Sequence, residues 1–229
     1  MSQPINNSPT HHTIDCLGIV LAGGLSSRMG QDKAQLTRHQ QNGLNTNAIT
    51  CKSAHNMLDF SKQLLTNAGI KNIVISGDNH QIPDVVSKAG PVGGIYSVVA
   101  HYLAHHPEHL QPKAFLILPV DLPLMSAAAL TELRLKGELS HKATFFSDSQ
   151  KQMHHIPLYL PNNAFLKMFL TKSFQQGNLL SGTVKANKKG PSVRSMLNNV
   201  PHQCIVSKNN QVLFNTNTPE QWQQAKKQF

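Results

Sequence analysis

Residues 17–22 form a short apolar run with no charge in it, and Gly23 and Gly24 follow at once. A run that short, without polar alternation, reads as a strand buried on both faces, as in a parallel sheet. Residues 72–76 and 114–118 have the same character. Between these runs the period changes. Met57, Phe60, Leu64, Leu65 and Ala68 recur at helical spacing and Gly69 supplies a stop, while residues 95–104 are helical again. Ser126 is placed to cap a further helix running to about Lys136. Strand and helix thus alternate through the first half, which predicts an α/β fold with a doubly wound, mostly parallel sheet.

The second half is less regular. Residues 143–146 and 156–160 are predicted strands, and 163–170 and 192–199 short helices. Residues 203–207 and 211–215 are predicted to pair as a hairpin around Lys208-Asn209-Asn210, a small antiparallel addition near the C-terminus. Thr218-Pro219-Glu220-Gln221 has the hydroxyl cap, the early proline and the Gln that open a final helix. Residues 37–52 are rich in Asn, Gln and Thr without a clear period, and read as an extended loop beside the site. Residues 1–13 read as a disordered lead-in and 14–229 as a single domain, with no internal repeat.

Composition narrows the partners. The formal net charge of +10 favours anions: nucleotides, phosphorylated small molecules or nucleic acid. Dispersed basic residues and 6% aromatic content argue against nucleic acid, which calls for charged stripes and stacking platforms. No apolar run reaches the length of a membrane span, and the N-terminus lacks the apolar core of a signal peptide, so a soluble, cytoplasmic protein is expected. Cys16, Cys51 and Cys204 are isolated and too few for a structural zinc site.

The candidate chemistry lies just beyond the predicted strand ends. Gly23 and Gly24 free backbone N–H groups, and Ser26, Ser27, Arg28 and Lys33 add hydroxyls and cations, which together suit a polyphosphate. The loop is neither a Walker loop nor the dinucleotide fingerprint, because the glycine and lysine spacings differ. Asp121 follows a buried run between Pro119 and Pro123, a suitable place for a carboxylate holding Mg²⁺ beside phosphates. Asp84 is a second loop carboxylate on the same predicted rim. Cations flanking a triphosphate point to attack at phosphorus, with Arg28, Lys33 and Asp121 in the catalytic roles. A general base is unnecessary if the nucleophile is an ionised phosphate. His154 and His155 are read as surface or packed residues rather than catalysts.

These residues carry a resemblance. Leu21-Ala-Gly-Gly-x-Ser-x-Arg-Met-Gly-x-Asp-Lys33 closely resembles the signature of nucleotidyltransferases, and within them the molybdenum cofactor guanylyltransferases. Gly90-Pro-Val-Gly-Gly94, Pro119-Val-Asp121 and the closing Asn215-Thr-Asn-Thr-Pro-Glu220 are similar to further motifs of that family. The resemblance implies a Rossmann-like fold and transfer of GMP from GTP to molybdopterin, with Mg²⁺ as cofactor and with proteins that deliver or accept the cofactor as partners. It implies nucleotide contacts at Leu21, Ala22, Gly23, Gly24, Lys33, Asp84 and Gly93, metal at Asp121, and acceptor contacts at Asn215 and Asn217. The chain departs from the pattern after the second strand, where Asn79 is displaced, and in the long 37–53 connection. The competing readings are a cytidylyltransferase on the same pterin, a transferase acting on a sugar phosphate, and a non-catalytic nucleotide-binding module.

Overall fold

The computed structural model describes residues 14–23, 32–38, 55–175 and 190–228. The predicted lead-in, Gly24, Arg28 and most of the 37–53 loop lie outside them. The strands are β1 (Cys16–Leu21), β2 (Thr37–Arg38), β3 (His55–Asn56), β4 (Asn72–Ser76), β5 (Ala114–Pro119), β6 (Ala143–Ser147), β7 (Met153–Pro161) and β8 (His202–Val206). The helices are α1 (Met57–Asn67), α2 (Gly90–His105), α3 (Ala127–Ser140), α4 (Ala164–Leu170), α5 (Val193–Leu197) and α6 (Pro219–Lys226).

The main sheet has six strands in the order β4-β1-β5-β7-β6-β8. β1 is parallel to both β4 and β5, β7 runs antiparallel to β5 and β6, and β8 is parallel to β6. β2 and β3 form a separate two-stranded ribbon. Side-chain alternation divides the core into two layers. Leu17, Ile19 and Leu21 of β1 and Phe115 and Ile117 of β5 face the layer that contains Val92, Ile95 and Val98 of α2. Val20, Leu116 and Leu118 face the opposite layer, with Leu64 and Leu65 of α1 and Leu130 and Leu133 of α3. Gly18 lets α1 press down on the sheet: a Cβ there would stand 3.0 Å from Ile70 Cγ2 and 3.2 Å from Leu65 Cδ1.

The chain therefore leaves β1 over one face to reach β4 and returns over the other to reach β5. Strand order reverses at β1, and the crevice beyond its C-terminal end is where such sheets bind ligands. The doubly wound, mostly parallel architecture matches the sequence reading.

Three local expectations need correction. Residues 203–215 do not form a hairpin. β8 joins the sheet edge parallel to β6, and residues 210–213 close into a 3₁₀ turn. Asn209 caps that turn through its side chain, accepting from Gln211 N at 3.0 Å, so local hydrogen bonds win over a cross-strand ladder. The antiparallel strand of the sheet is β7 instead. Finally, α2 starts at Gly90, five residues before its expected start, because Gly93 and Gly94 serve close packing inside its first turns. The caps at Asn56, Ser126, Asn163 and Ser192, and the stop at Gly69 with φ +86°, fit the pattern of polar and glycine positions.

Candidate active site

Leu21, the last residue of β1, is in register with Ser76 of β4 on one side and Pro119 of β5 on the other. Two groups of residues gather there, one beyond each neighbouring strand.

On the β4 side the backbones of β1 and β4 converge. Ala22 and Gly23 donate their N–H groups to the Ser76 carbonyl at 2.9 and 3.2 Å. Those two donors therefore serve the fold rather than standing free toward a phosphate. What Gly23 leaves is space. A Cβ on Gly23 would lie 3.1 Å from Gly77 Cα and 3.4 Å from Asp84 Oδ2, and a Cβ on Gly77 would meet Gly23 N at 2.8 Å. Two chains cross where neither tolerates a side chain, and Asp84 borders the crossing.

Asp84 is held by α2. Ser97 Oγ donates to the Gly93 carbonyl and accepts from Val85 N, both at 2.9 Å, so the residue after Asp84 is tied to the helix. Gly93 itself is buried, and its missing Cβ makes room for Ala89. Gly94 keeps space for Ser76 Oγ and Leu21 Cδ2 in the same way. The Oδ1 atom of Asp84 is buried without a hydrogen-bond partner among the described residues. Burial raises the Asp84 pKa above its ordinary value, the nearby Asp78 carboxylate adds to this, and a hydrogen bond from Ser76 opposes it. The Ser76 hydroxyl has one proton and also donates to the Gly94 carbonyl at 3.2 Å, so the two acceptors compete for it.

On the β5 side Asp121 meets Lys33 and Asn217. Lys33 Nζ lies 3.2 Å from Asp121 Oδ2 and donates to Asn217 Oδ1 at 2.9 Å. Lys33 opens a 3₁₀ turn capped by Asp32, whose Oδ1 accepts from Ala34 N at 2.9 Å. Buried Leu36 packs with Met57 and Trp222, which fixes this segment against α1 and α6. Arg38 Nε donates to the Pro123 carbonyl at 3.1 Å, and the guanidinium lies 4.4 Å over the Phe60 ring. Thr216 clamps Asp121 from the other side: its N–H and hydroxyl both reach the Asp121 carbonyl, at 2.9 and 3.2 Å. The second carboxylate oxygen of Asp121, Oδ1, is buried and has no hydrogen-bond partner among the described residues.

Asn217 owes its place to α6. Gln221 closes a capping box with Thr218, and its Oε1 accepts from Asn217 N at 2.7 Å and Thr218 N at 3.1 Å. The capping box is legible in the sequence. That it also seats the amide partner of Lys33 is not, because the two are 184 positions apart.

Of the predicted site residues, Gly23 stands beside Asp84 with Leu21 and Ala22 against Ser76, and Lys33, Asp121 and Asn217 form one cluster. Gly93 supports the β4 side from within α2. Asn215 is exposed, while Gly24 and Arg28 fall outside the described residues. Ser76, Gly77 and Thr216 are further contributors that the sequence does not single out, and Gln221 is legible there only as part of a helix cap. His155 packs edge-on against Phe145 at 5.2 Å between centroids, and burial chiefly lowers its pKa. Among the described residues no three His, Cys, Asp or Glu side chains converge on one point, and no helix is long and apolar enough to cross a membrane.

A doubly wound sheet with a glycine-lined crevice and a Lys–Asp pair at its switch point defines a nucleotide-handling fold. The comparisons narrow it to a family. Residues 18–179 match the model of the MobA-like NTP transferase domain. A molybdenum cofactor guanylyltransferase of Xanthomonas euvesicatoria pv. vesicatoria is 32% identical over 210 residues, covering 90% of this chain and 91% of that protein. The chain belongs to the MobA-like NTP transferase family, a family of nucleotidyltransferases. Solved structures share the fold at low identity. Molybdopterin-guanine dinucleotide biosynthesis protein A from Archaeoglobus fulgidus superposes with a TM-score of 0.62 at 15% identity, covering 92% of this chain and 97% of that one. A Mycobacterium tuberculosis protein crystallised with manganese gives 0.50 at 12% identity, covering 94% and 100%.

Proposed function

We propose that the chain transfers GMP from GTP to the phosphate of molybdopterin, forming the guanine dinucleotide cofactor and pyrophosphate. The observation that carries the chemistry is the Lys33–Asp121 pair, whose second carboxylate oxygen is buried without a partner among the described residues. The name of the relative that shares nearly the whole chain supports this choice of base and acceptor.

In this reading an ionised phosphate oxygen of the acceptor forms a bond to the α-phosphorus of GTP. The bond from that phosphorus to the bridging oxygen breaks, and its electron pair leaves on pyrophosphate. The acceptor brings its own negative charge, so the protein has cations to supply rather than a base. The Lys33 ammonium offsets charge on the phosphates as it builds. Asp121 would hold Mg²⁺: a buried oxygen that lacks a hydrogen-bond donor among the described residues suits a hard cation that takes one or two carboxylates and substrate oxygens. Bound there, the ion would polarise phosphoryl oxygens and stabilise the leaving pyrophosphate.

The crevice on the β4 side receives the nucleoside. The Asp84 carboxylate is a hydrogen-bond acceptor at a site where Gly23 and Gly77 leave no side chain in the way. Guanine presents two adjacent N–H donors to such a group, and cytosine presents a single amine. That difference favours GTP. Arg28 and Gly24 supply further phosphate contacts, and Asn215 faces the acceptor.

The test is a nucleotide panel read by pyrophosphate release, with Mg²⁺ and either molybdopterin or a sugar phosphate as acceptor. GTP with molybdopterin is expected to exceed CTP by at least about tenfold in kcat/KM, the worth of one hydrogen bond to a charged group. Equal or better turnover with CTP removes the guanylyl assignment, and preference for the sugar phosphate removes the pterin.

A further inference from the structure

We propose that Lys33 is a placeholder on the metal-binding carboxylate, so that a divalent cation and the triphosphate enter this site together rather than one after the other. The inference rests on Asp121 being the metal ligand, as argued above.

Lys33 Nζ lies 3.2 Å from Asp121 Oδ2, and the two side chains are only 15% and 18% exposed. Little water separates them, so the pair is weakly screened. A divalent cation arriving alone at Asp121 meets an ammonium already on one of the two oxygens. It must either displace that ammonium or sit beside it, and the repulsion between like charges in a partly buried place opposes both. A triphosphate changes the balance. Its negative charge draws the ammonium off Oδ2 and at the same time offers the metal further oxygen ligands.

Asn217 makes that exchange feasible. Its amide oxygen holds Lys33 Nζ at 2.9 Å from a side that carries no charge, so release from Asp121 does not leave the ammonium without a partner. The support is built before any ligand arrives. Gln221 fixes the Asn217 backbone, and Thr216 fixes the Asp121 carbonyl, both from the segment that leads into α6. By linkage, the factor by which the triphosphate tightens the metal is the factor by which the metal tightens the triphosphate.

The test is Mn²⁺ alone titrated into the nucleotide-free protein, with free manganese followed by electron paramagnetic resonance. Lys33→Met is expected to bind Mn²⁺ about tenfold more tightly than the unaltered chain, within the usual span of a coupling between two sites. Lys33→Gln carries the same expectation should the methionine variant fold poorly, as judged by circular dichroism. Lys33→Arg keeps the charge and is expected to bind Mn²⁺ as weakly as the unaltered chain. Adding Asp121→Asn to Lys33→Met should abolish the gain.

If the neutral variants bind no more tightly while Asp121→Asn still weakens binding, the placeholder is overturned and the metal assignment stands. If Asp121→Asn leaves Mn²⁺ binding unchanged in the Lys33→Met background, Asp121 is not the ligand, and the placeholder falls with it.

Discussion

Two carboxylates flank the end of β1, and their surroundings are opposite. Asp121, beyond β5, faces a lysine and an amide, and its backbone carbonyl is clamped by Thr216. Asp84, beyond β4, has another carboxylate, Asp78, as its charged neighbour and competes with a carbonyl for the Ser76 proton. Among the described residues, each keeps one buried oxygen without a hydrogen-bond partner. The β5 side thus pairs its carboxylate with a cation and leaves one oxygen open, which is how a site for a cation is prepared. The β4 side is left wanting donors, which is how a site for N–H groups is prepared. The same residue type, placed on two strand ends either side of one strand, is set to two tasks by its neighbours.

The largest effect expected from breaking this contrast is at Asp121. Asp121→Asn keeps the shape and removes the charge. Turnover should fall about a thousandfold, the scale on which loss of charge stabilisation in a transition state acts. Secondary structure by circular dichroism should be unchanged, because the Thr216 clamp is to the backbone carbonyl. Near-normal rates would remove Asp121 from the metal role and erase the difference between the two carboxylates.

Asp84→Asn should have a smaller effect on function and should raise stability. Losing a charged acceptor is expected to weaken GTP binding about 10- to 100-fold, read by calorimetry. Stability should rise at neutral pH, and the sign follows from the raised pKa. The unfolded chain ionises this carboxyl near its ordinary value of 3.8, whereas the folded chain holds the proton to higher pH. The native carboxylate therefore costs stability as pH climbs from 3.8 through the raised value, and nothing below it. The asparagine variant should melt higher than the unaltered chain at pH 7 and alike at pH 3. A lower Tm at pH 7 would mean that Asp84 has a cationic partner in the folded state, and the contrast would fail.

Much of this arrangement is visible in the sequence, and what is not has a physical cause. β1 and β5 are apolar runs buried on both faces and β4, at the sheet edge, is a half-buried one, so composition marks all three, and the alternation with helices fixes the parallel sheet. Asp121 is conspicuous because a charge follows a buried strand between two prolines. Asp84 is less so, since only folding brings Gly23 and Gly77 against it. The hairpin expected at 203–215 failed because Asn209 and Ser207 satisfy their own turn, and hydroxyl and amide side chains do this without changing hydrophobic period. The early start of α2 was hidden because glycines read as loop until their packing partners, Ala89, Ser76 and Leu21, are known. Pairings such as Lys33 with Asn217 leave no local trace at all.

The smallest effect expected is at Gln221, and it separates support from chemistry on the β5 side. Gln221→Ala removes the acceptor for Asn217 N and Thr218 N and dissolves the capping box of α6. Loss of a cap costs about 1 kcal/mol. In a chain of this length that lowers Tm by about 2–4 °C. If α6 only closes the fold, the change ends there. If it seats the amide that holds Lys33, KM for GTP should also rise, roughly threefold with kcat little altered, since about 0.6 kcal/mol of positioning is lost. Gln221→Glu keeps an acceptor at the same reach and should restore KM even where stability is not fully recovered. A variant that melts lower but binds GTP unchanged would show that the C-terminal helix plays no part in setting Lys33. The preassembly that distinguishes Asp121 from Asp84 would then reside in Thr216 and the 3₁₀ turn at Lys33 alone.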